Sequence, residues 1–261
     1  VASRGLGDVY KRQIFDMSIG KEKPHSGKQK SCPFCDWRTL TDILDEKEDI
    51  LWLMNKYPVF EKTCPTLIIE TKKHDTGLTR YAPDKLHEVI SFSLEKWAAM
   101  EKNPHFKSVL YFRNYGPESG GSQRHPHSQI IGLKEYDYRE NISNENFLGP
   151  VFHEDSNCYA SLSSYPVCGM GELNVTLKAD GHPDTFADTL QKVARFVLKD
   201  FPTPCTSYNL FFYHLKNIHV KIFPRYTASP LYMGYRITHV LDEKSSDAML
   251  RILKSGAYFG D

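Results

Sequence analysis

Hydrophobic and polar residues recur along the first half of the chain with two different periods. Two strand-like runs, DILWLMNKYPVF and TCPTLIIETKK, precede His74. PDKLHEVISFSLEKWAAMEK then predicts a helix beginning near Pro83, because a proline suits the first helical turn. KSVLYFRN predicts a further strand, and a glycine-rich loop separates it from a strand that opens at His125. Apolar residues of the helix recur at helical spacing: Leu86, Val89, Ile90, Leu94 and Trp97.

The second half repeats this order. NCYASLSS and ELNVTLK predict strands before His182, and DTFADTLQKVARFVLKDF predicts a helix with Asp184 or Thr185 as its N-cap. SYNLFFYH and IHVKIFPRY predict the last two strands. The pattern therefore predicts an α+β fold of two halves, residues 14–140 and 141–261, related by internal duplication. Each half is expected to be an antiparallel sheet carrying a helix.

The composition is that of an ordinary globular protein, with 40% hydrophobic and 25% charged residues. The 33 basic and 32 acidic residues leave a net charge of +1, whereas a general nucleic-acid binder carries a basic surplus. No stretch approaches the roughly 18 apolar residues of a membrane span. We therefore expect neither a nucleic acid nor a membrane as a partner.

The first thirteen residues, VASRGLGDVYKRQ, have no apolar segment like that of a secretory signal. We predict that they are a non-native leader that takes no part in the fold. Without a signal, the cytoplasm is the expected location, and cysteines there are usually thiols or metal ligands. Four of the six cysteines are expected to be plain core or surface thiols: Cys64, Cys158, Cys168 and Cys205.

Cys32 and Cys35 in SCPFC have two residues between them, which is the commonest spacing for two thiolates on one tetrahedral zinc. Further ligands would have to come from elsewhere, and His74 and His125 stand at the ends of first-half elements. A thioredoxin-like redox pair needs a strand-to-helix junction, which this region does not show. By itself, the cysteine pair is equally compatible with two buried thiols that bind nothing.

His125 and His127 flank Pro126 at the start of a predicted strand, where residues two apart point to the same face. Gln129 is expected on that face as well. A histidine with a pKa of about 6.5 is mostly neutral at pH 7, so it carries a lone pair suited to attack on phosphorus. Without further context, such a histidine pair is more often a surface or satisfied core pair.

The loop NYGPESGGSQ supplies the missing context for the histidines. Backbone N–H groups in such a turn, at Gly120 and Gly121 among others, can converge on an anion. One phosphate is expected to be surrounded by five side chains from the loop and the strands beside it: Asn114, Ser122, His125, His127 and Gln129.

The segment YFRNYGPESGGSQRHPHSQIIGL closely resembles the active-site segment of galactose-1-phosphate uridylyltransferases, in the histidine-triad superfamily. Upstream, CPFC, NKYP and ETKKHDTGL are similar to the family's zinc thiolates, its Asn-Lys-Phe-Pro nucleotide contact and its Glu-Thr-x-x-His segment. In the second half, SYNLFFYH, IHVKIFPR and MGYRITHV resemble the corresponding strands more loosely. The family's pattern Asn-x-Gly-x-x-x-Gly-x-Ser-x-x-His-Pro-His-x-Gln is matched at Asn114, Gly116, Gly120, Ser122, His125, Pro126, His127 and Gln129.

This resemblance implies a two-lobed histidine-triad-like fold and one structural zinc. A zinc bound to His125 would hold the strand two residues from the attacking ring, so it would support the catalytic residue and not act as a Lewis acid. Relatives are commonly homodimers, so a homodimer is expected. The implied zinc ligands are Cys32, Cys35, His74 and His125.

The resemblance also implies roles in catalysis and nucleotide binding. His127 would be the nucleophile that becomes nucleotidylated. Gln129 and Ser122 would hydrogen-bond the transferred phosphoryl group. The implied nucleotide contacts are Asn55, Asn114, Gly120 and Gly121.

The sequence departs from the family at two places. Some members bind a second metal through a His-x-His that here is His219-Val220-Lys221, and a protonated lysine cannot replace an imidazole, so no second metal is expected. Lys221 is expected near a phosphate or, more commonly for a lysine, on the surface. The family's sugar-contacting Tyr-Glu aligns with Tyr235-Arg236, and a guanidinium there should favour an acceptor with an extra phosphate or carboxylate over galactose.

Three functions remain in competition. In the first, His127 takes a nucleoside monophosphate from a nucleotide sugar or triphosphate and passes it to a sugar-1-phosphate-like acceptor. In the second, the same intermediate passes to phosphate or water, which makes the protein a nucleotidyl phosphorylase or a hydrolase. In the third, the protein is a non-catalytic nucleotide binder or a zinc-stabilised structural protein.

Overall fold

The computed structural model describes residues 14–22, 32–226 and 237–260. The predicted leader, residues 1–13, and the predicted sugar-contacting pair Tyr235 and Arg236 lie outside the described residues. The helices are α1 (Met17–Glu22), α2 (Pro83–Glu101), α3 (Pro183–Lys199) and α4 (Glu243–Leu253). The strands are β1 (Ile43–Lys47), β2 (Ile50–Met54), β3 (Thr63–Ile69), β4 (Ser108–Tyr115), β5 (His127–Leu133), β6 (Val151–Glu154), β7 (Cys158–Leu162), β8 (Leu173–Leu177), β9 (Ser207–His214) and β10 (Ile218–Arg225).

All ten strands belong to one antiparallel sheet with the order β1-β2-β3-β5-β4-β9-β10-β8-β7-β6. Apart from α1 and α4, each half has three strands, a helix and two strands, and in each half the fifth strand lies between the third and the fourth. The halves join where β4 pairs with β9. This repeated topology confirms the predicted α+β fold of two duplicated halves.

The sequence pattern missed the two strands at the edges of the sheet and helix α4. Four of the five residues of β1 are exposed, and β6 has only four residues, of which two are exposed. Neither strand therefore carries a hydrophobic alternation long enough to be recognised. Helix α4 is recognisable only by its packing, because Met249 and Leu253 are its two buried residues.

Helices α2 and α3 cover one face of the sheet and share one core with it. The apolar stripe predicted for α2 is buried there, with Leu86, Val89 and Trp97 all about 1% exposed or less. In α3, His182 is the N-cap and Pro183 the first helical residue, so the predicted cap at Asp184 or Thr185 is wrong. Proline suits the first helical position, because the backbone N–H of that position has no partner within the helix and its absence costs no hydrogen bond.

The opposite face of the sheet is covered differently in the two halves. In the first half, residues 32–40 lie over β2 and β3, where Phe34, Trp37 and Leu40 pack on a small apolar cluster that includes Leu53 and Leu67. This face also carries the alternate residues of β5, which begins at His127 and pairs with Ile69. The prediction that the strand opens at His125 is therefore wrong by two residues.

In the second half, the same face carries a buried polar network around Lys221. The side chain is fully buried, and its ammonium donates to Ser163 Oγ at 2.9 Å, Glu172 Oε2 at 2.9 Å and Asn174 Oδ1 at 3.1 Å. The expectation of a surface lysine is wrong, because Lys221 points to a covered face of its strand. Its buried charge is compensated by these three polar partners.

We expect Lys221→Met to lower the free energy of unfolding by about 3–5 kcal/mol, because the Glu172 carboxylate would stay buried without its cation. Adding Glu172→Gln should recover part of that loss, since an amide oxygen can still accept hydrogen bonds from the backbone N–H groups that Glu172 now binds, at Val167, Cys168 and Gly169. Denaturant titration of both variants measures this. Equal losses in the single and double variants would contradict the charge argument.

His219 should make the second half sensitive to acid. Burial, together with the nearby Lys221 ammonium, lowers the pKa of His219 to about 4. An unfolded histidine has a pKa near 6.5, so below that pH the unfolded state binds a proton that the folded state does not. The free energy of unfolding should therefore fall between pH 6.5 and pH 4, by up to about 3 kcal/mol from this residue. His219→Asn should make the pH dependence shallower, while the exposed-site control His105→Asn should leave it unchanged.

Candidate active site

Four metal-ligating side chains meet at the end of the first-half sheet. Cys35 Sγ lies 3.4 Å from His74 Nδ1 and 3.5 Å from His125 Nδ1, and Cys32 Sγ lies 3.7 Å from His125 Nδ1. All four ligand atoms are within 4.8 Å of one another, so the cluster could hold a metal ion. The four residues predicted as metal ligands are thus brought together from a turn, a loop and the residue before Pro126.

The surroundings of this cluster favour a bound cation. His125 Nε2 donates to the carbonyl of Thr71 at 2.8 Å, which leaves the lone pair on Nδ1, the atom that faces the thiols. Burial, with the neighbouring Cys35 thiol, raises the pKa of Cys32 to about 11. A metal would reverse that effect, because thiols bind metal as thiolates.

His127 lies two residues beyond the cluster and is only 7% exposed. Its Nδ1 is 2.8 Å from the backbone carbonyl of His125, and a carbonyl can only accept, so Nδ1 carries the proton. The other nitrogen, Nε2, then carries the lone pair. Burial also lowers the pKa of His127, which keeps the ring neutral at pH 7. The ring is therefore in the tautomer that nucleophilic attack requires.

Phe34 connects the metal-ligand turn with His127. It lies between Cys32 and Cys35 in the sequence, and its ring is 6.0 Å from the ring of His125 and 5.4 Å from that of His127, both edge-on. Such contacts are typical of packed aromatic pairs. Sequence reasoning missed this residue, although its position within the CPFC turn was a usable signal.

A cavity of about 210 Å³ opens beside His127 on the sheet face away from the helices. We call it the apolar cavity, because hydrophobic side chains make up much of its wall. Of the residues predicted for catalysis and nucleotide binding, this cavity brings four together: Asn55, Ser122, His127 and Gln129. Its apolar lining includes Pro33, Phe34, Leu40, Leu53, Met54, Tyr57 and Leu67.

A second cavity, of about 520 Å³, lies on the other side of the glycine-rich loop. We call it the polar cavity. Ser122 and Gln123 line both cavities, so the loop forms a shared wall between them. Asn114, Gly121 and His125 line the polar cavity and not the apolar one, whereas Gly120, at a left-handed φ of 78°, lines neither.

These positions remove His125 from the five side chains expected around one phosphate, and the grouping of the other four stays a prediction. Both ring nitrogens of His125 are occupied, by the thiol cluster and by the Thr71 carbonyl. Asn114 Oδ1 accepts a hydrogen bond from Asn209 Nδ2 at 2.7 Å, which ties it to the second half. The difference for His125 comes from its place in the thiol cluster. Asn114 lies two residues along β4 from Phe112, the partner of Gln129, so its side chain is on the same sheet face as Gln129.

A buried ion pair that the sequence did not reveal lies near His127. Arg113 donates to both carboxylate oxygens of Glu70, at 2.8 and 3.0 Å, and Tyr81 Oη donates to the same carboxylate at 2.8 Å. Burial opposes ionisation, yet the Arg113 guanidinium holds the pKa of Glu70 below its usual value. Glu70 also donates its backbone N–H to the carbonyl of Pro126, so the pair anchors the segment that carries both histidines.

One other group in the described part of the chain has metal-ligand character. His153, Asp155 and Cys158 lie within 4.8 Å of one another at the β6–β7 turn. Asp155 Oδ1 accepts the backbone N–H groups of Asn157 and Cys158, at 2.7 and 2.8 Å. These hydrogen bonds indicate that Asp155 stabilises the turn.

Two family models together match almost the whole chain. The N-terminal domain model of DUF4931, a domain of unknown function, matches residues 15–136, and the C-terminal domain model of DUF4931 matches residues 139–259. The chain belongs to the DUF4931 family. A DUF4931 protein of Bacillus cereus ATCC 10987 has a crystal structure that superposes with a TM-score of 0.73 at 37% identity, covering 81% of this chain and 97% of that one.

More distant relatives of this DUF4931 protein have named activities. The galactose-1-phosphate uridylyltransferase of Thermotoga maritima is 22% identical over 132 residues, a segment that covers 43% of this chain and only 41% of that enzyme. A uridylyltransferase structure has a TM-score of 0.69 at 18% identity, covering 89% and 94% of the two chains. An ADP-glucose phosphorylase of Arabidopsis thaliana with bound ADP-glucose has a TM-score of 0.67 at 16% identity, covering 88% and 90%. The resemblance to galactose-1-phosphate uridylyltransferases is thereby confirmed.

No helix of the described residues is long and apolar enough to span a membrane.

We expect the purified protein to contain about one tetrahedrally bound metal ion per chain. Cys35→Ser should remove most of it and lower the midpoint of thermal unfolding, because the site joins residues far apart in sequence. Cys64→Ser is the matched control, since Cys64 is a partly buried thiol outside the cluster. Elemental analysis together with thermal melting checks this, and metal retained in Cys35→Ser would contradict it.

Proposed function

We propose that this DUF4931 protein is a nucleotidyltransferase that works through a nucleotidyl-His127 intermediate. The observation that carries the proposal is the hydrogen bond from His127 Nδ1 to the His125 carbonyl, which leaves Nε2 as the nucleophilic nitrogen beside a cavity. The relatives with named activities support nucleotidyl transfer in general.

The first half-reaction forms the intermediate. His127 Nε2 attacks the α-phosphorus of a nucleotide sugar or nucleoside triphosphate, and the bond to the leaving phosphate oxygen breaks. Sugar phosphate or pyrophosphate departs with the bonding electrons. Gln129 and Ser122 donate to the phosphoryl oxygens while charge develops on them, and comparable donors contribute roughly 100- to 1000-fold in rate. Asn55 and the apolar wall hold the nucleoside, with Phe34 against the reacting ring.

The second half-reaction regenerates the enzyme. A phosphate oxygen of a sugar-1-phosphate-like acceptor attacks the same phosphorus, and the P–N bond breaks to return the lone pair to Nε2. His127 is thereby returned to its starting state. The first product leaves before the acceptor reacts with the intermediate, so the kinetics should be ping-pong. Water or free phosphate in place of the acceptor would give hydrolysis or phosphorolysis from the same intermediate.

The residues of the metal cluster fit zinc. Zinc–sulfur bonds of about 2.3 Å and zinc–nitrogen bonds of about 2.0 Å at tetrahedral angles place sulfur and nitrogen roughly 3.6 Å apart. The three sulfur–nitrogen distances here, 3.4, 3.5 and 3.7 Å, agree with that geometry. Cys32, Cys35, His74 and His125 would hold the ion. When bound, zinc would supply structural support and no open coordination position.

Homodimer formation, a cytoplasmic location and the absence of a second metal site remain predictions.

Incubation with a panel of nucleotide sugars and triphosphates should add the mass of one nucleoside monophosphate to the peptide that contains His127. His127→Gln should abolish the adduct, because an amide cannot act as the nucleophile. Gln129→Ala should slow its formation by roughly 100-fold or more. Mass spectrometry of digests kept at alkaline pH checks this, since a phosphoramidate is acid-labile, and it also identifies the base.

The exposed-site control for this experiment is His105→Ala, which should label at the normal rate. An adduct on another residue, or none with any donor, would overturn the covalent mechanism and favour a nucleotide-binding protein.

A further inference from the structure

Asn209 of β9 reaches the glycine-rich loop from the second half and is only 5% exposed. Its Nδ2 lies 2.9 Å from the carbonyl oxygen of Ser119 and 2.7 Å from Oδ1 of Asn114. A backbone carbonyl can only accept, so the Asn209 atom that faces Ser119 is the nitrogen, and its two N–H groups serve these two acceptors. Asn209 therefore connects the loop with β4 through a single amide group.

This contact decides how the amide of Asn114 is oriented. Because the nitrogen of Asn209 donates to it, the Asn114 atom that faces Asn209 is the oxygen, Oδ1. The nitrogen of Asn114 then lies at the other end of the amide, and it carries two N–H groups and no lone pair that could accept. Asn114 therefore presents hydrogen-bond donors on the side that faces away from Asn209.

The side chain of Asn114 lies on the sheet face of the candidate active site. Asn114 follows Phe112 by two residues on β4, and Phe112 pairs with Gln129, so Asn114 and Gln129 share that face. Nδ2 of Asn114 lies 4.0 Å from the position that a Cβ would take at Gly121, the residue before Ser122. Ser122 belongs to the wall between the two cavities. Asn114 thus borders this wall from the polar cavity, and Gln129 lies on the side of the apolar cavity.

Other second-half residues also hold the glycine-rich loop. Ser207 Oγ accepts the backbone N–H of Glu118 at 3.0 Å, and Arg225 Nε donates to the carbonyl of Glu118 at 3.1 Å. The loop therefore keeps two attachments to the second half when Asn209 is replaced. The contribution that is specific to Asn209 is the orientation of the Asn114 amide.

We propose that Asn209 is a positioning residue for phosphoryl transfer, because it holds the Asn114 amide so that Nδ2 donates to the phosphoryl group that His127 receives. This rests on the proposed function. Negative charge develops on the phosphoryl oxygens in the transition state, so a fixed donor stabilises that state and an amide oxygen in the same place would destabilise it. Asn209 disfavours the reversed amide, because its own nitrogen would then face the nitrogen of Asn114.

Labelling of His127 by UDP-glucose or ADP-glucose, whichever reacts faster, tests this in the full-length protein. We expect Asn209→Ala to lower the rate constant of labelling at saturating donor by about 10-fold, as for loss of one oriented hydrogen bond. The donor concentration that gives half the maximal rate should change by less than about threefold, because the contact is strongest in the transition state. Asn209→Asp should be slower still, since a carboxylate accepts and would draw Asn114 Nδ2 toward itself. The matched control is Asn174→Ala, a buried asparagine of β8 that lines neither cavity.

A double-variant cycle separates the orientation of Asn114 from a general structural role. If Asn209 acts through Asn114, Asn209→Ala should slow labelling by less than about twofold when residue 114 is already alanine. Losses that multiply would show that Asn209 supports the loop independently, and they would overturn the proposal. A normal labelling rate in Asn209→Ala, or a loss confined to the half-saturating donor concentration, would overturn it as well. Denaturant titration of each variant identifies any loss that comes from folding.

Failure of the proposed function itself would look different. If neither nucleotide sugar labels His127, calorimetric binding of the same two compounds tests the amide orientation without the reaction, since a binding protein forms the hydrogen bond in the complex itself. Asn209→Ala should then weaken binding, and this loss should disappear when residue 114 is alanine. Equal binding by all variants, or no binding by the original protein, would overturn the role of Asn209.

Discussion

The arrangement of the site depends on one residue that takes part in two interactions. The ring of His125 belongs to the cysteine–histidine cluster, and its backbone carbonyl accepts a hydrogen bond from His127 Nδ1. Contacts that hold the ring of His125 therefore also help to position the carbonyl that sets the tautomer of His127. The cluster is built from a turn, a loop and this segment, which lie far apart in the sequence. Contacts between these parts therefore help to position the lone pair on His127 Nε2. A cation in the cluster would strengthen this coupling without touching the substrate.

The two halves use the same sheet order for different ends. In the first half, His127 and Gln129 face a cavity from the strand surface opposite the helices. In the second half, Lys221 corresponds to His127 when the motifs His125-Pro126-His127 and His219-Val220-Lys221 are aligned, and its ammonium is paired with Glu172 beside the ring of Phe147. The first half thus keeps an open cavity beside His127, whereas the second half has a buried ion pair at Lys221. The divergence explains why duplication here produces one candidate active site and not two.

Contacts between the halves also shape the site. Asn209 of β9 binds Asn114 beside the glycine-rich loop, and α3 holds the turn that ends at Arg80. The junction of β4 with β9 therefore does more than join two sheets, because it brings second-half side chains to the wall of the polar cavity. The wall of the polar cavity is consequently supported by residues of both halves.

The sequence by itself determined the periodic elements, the duplicated order of strands and helices, and the motif that carries the two histidines. These features are local, since strand alternation, helical spacing and fixed residue spacings can be read without knowing what packs against what. Only the tertiary structure decided where each side chain points. It separated His125 from the residues expected around one phosphate, paired Glu70 with Arg113, buried Lys221 and divided the site into two cavities. The direction of each side chain and its pairing with others depend on contacts between residues far apart in the chain. Local periodicity in the sequence does not reveal these contacts.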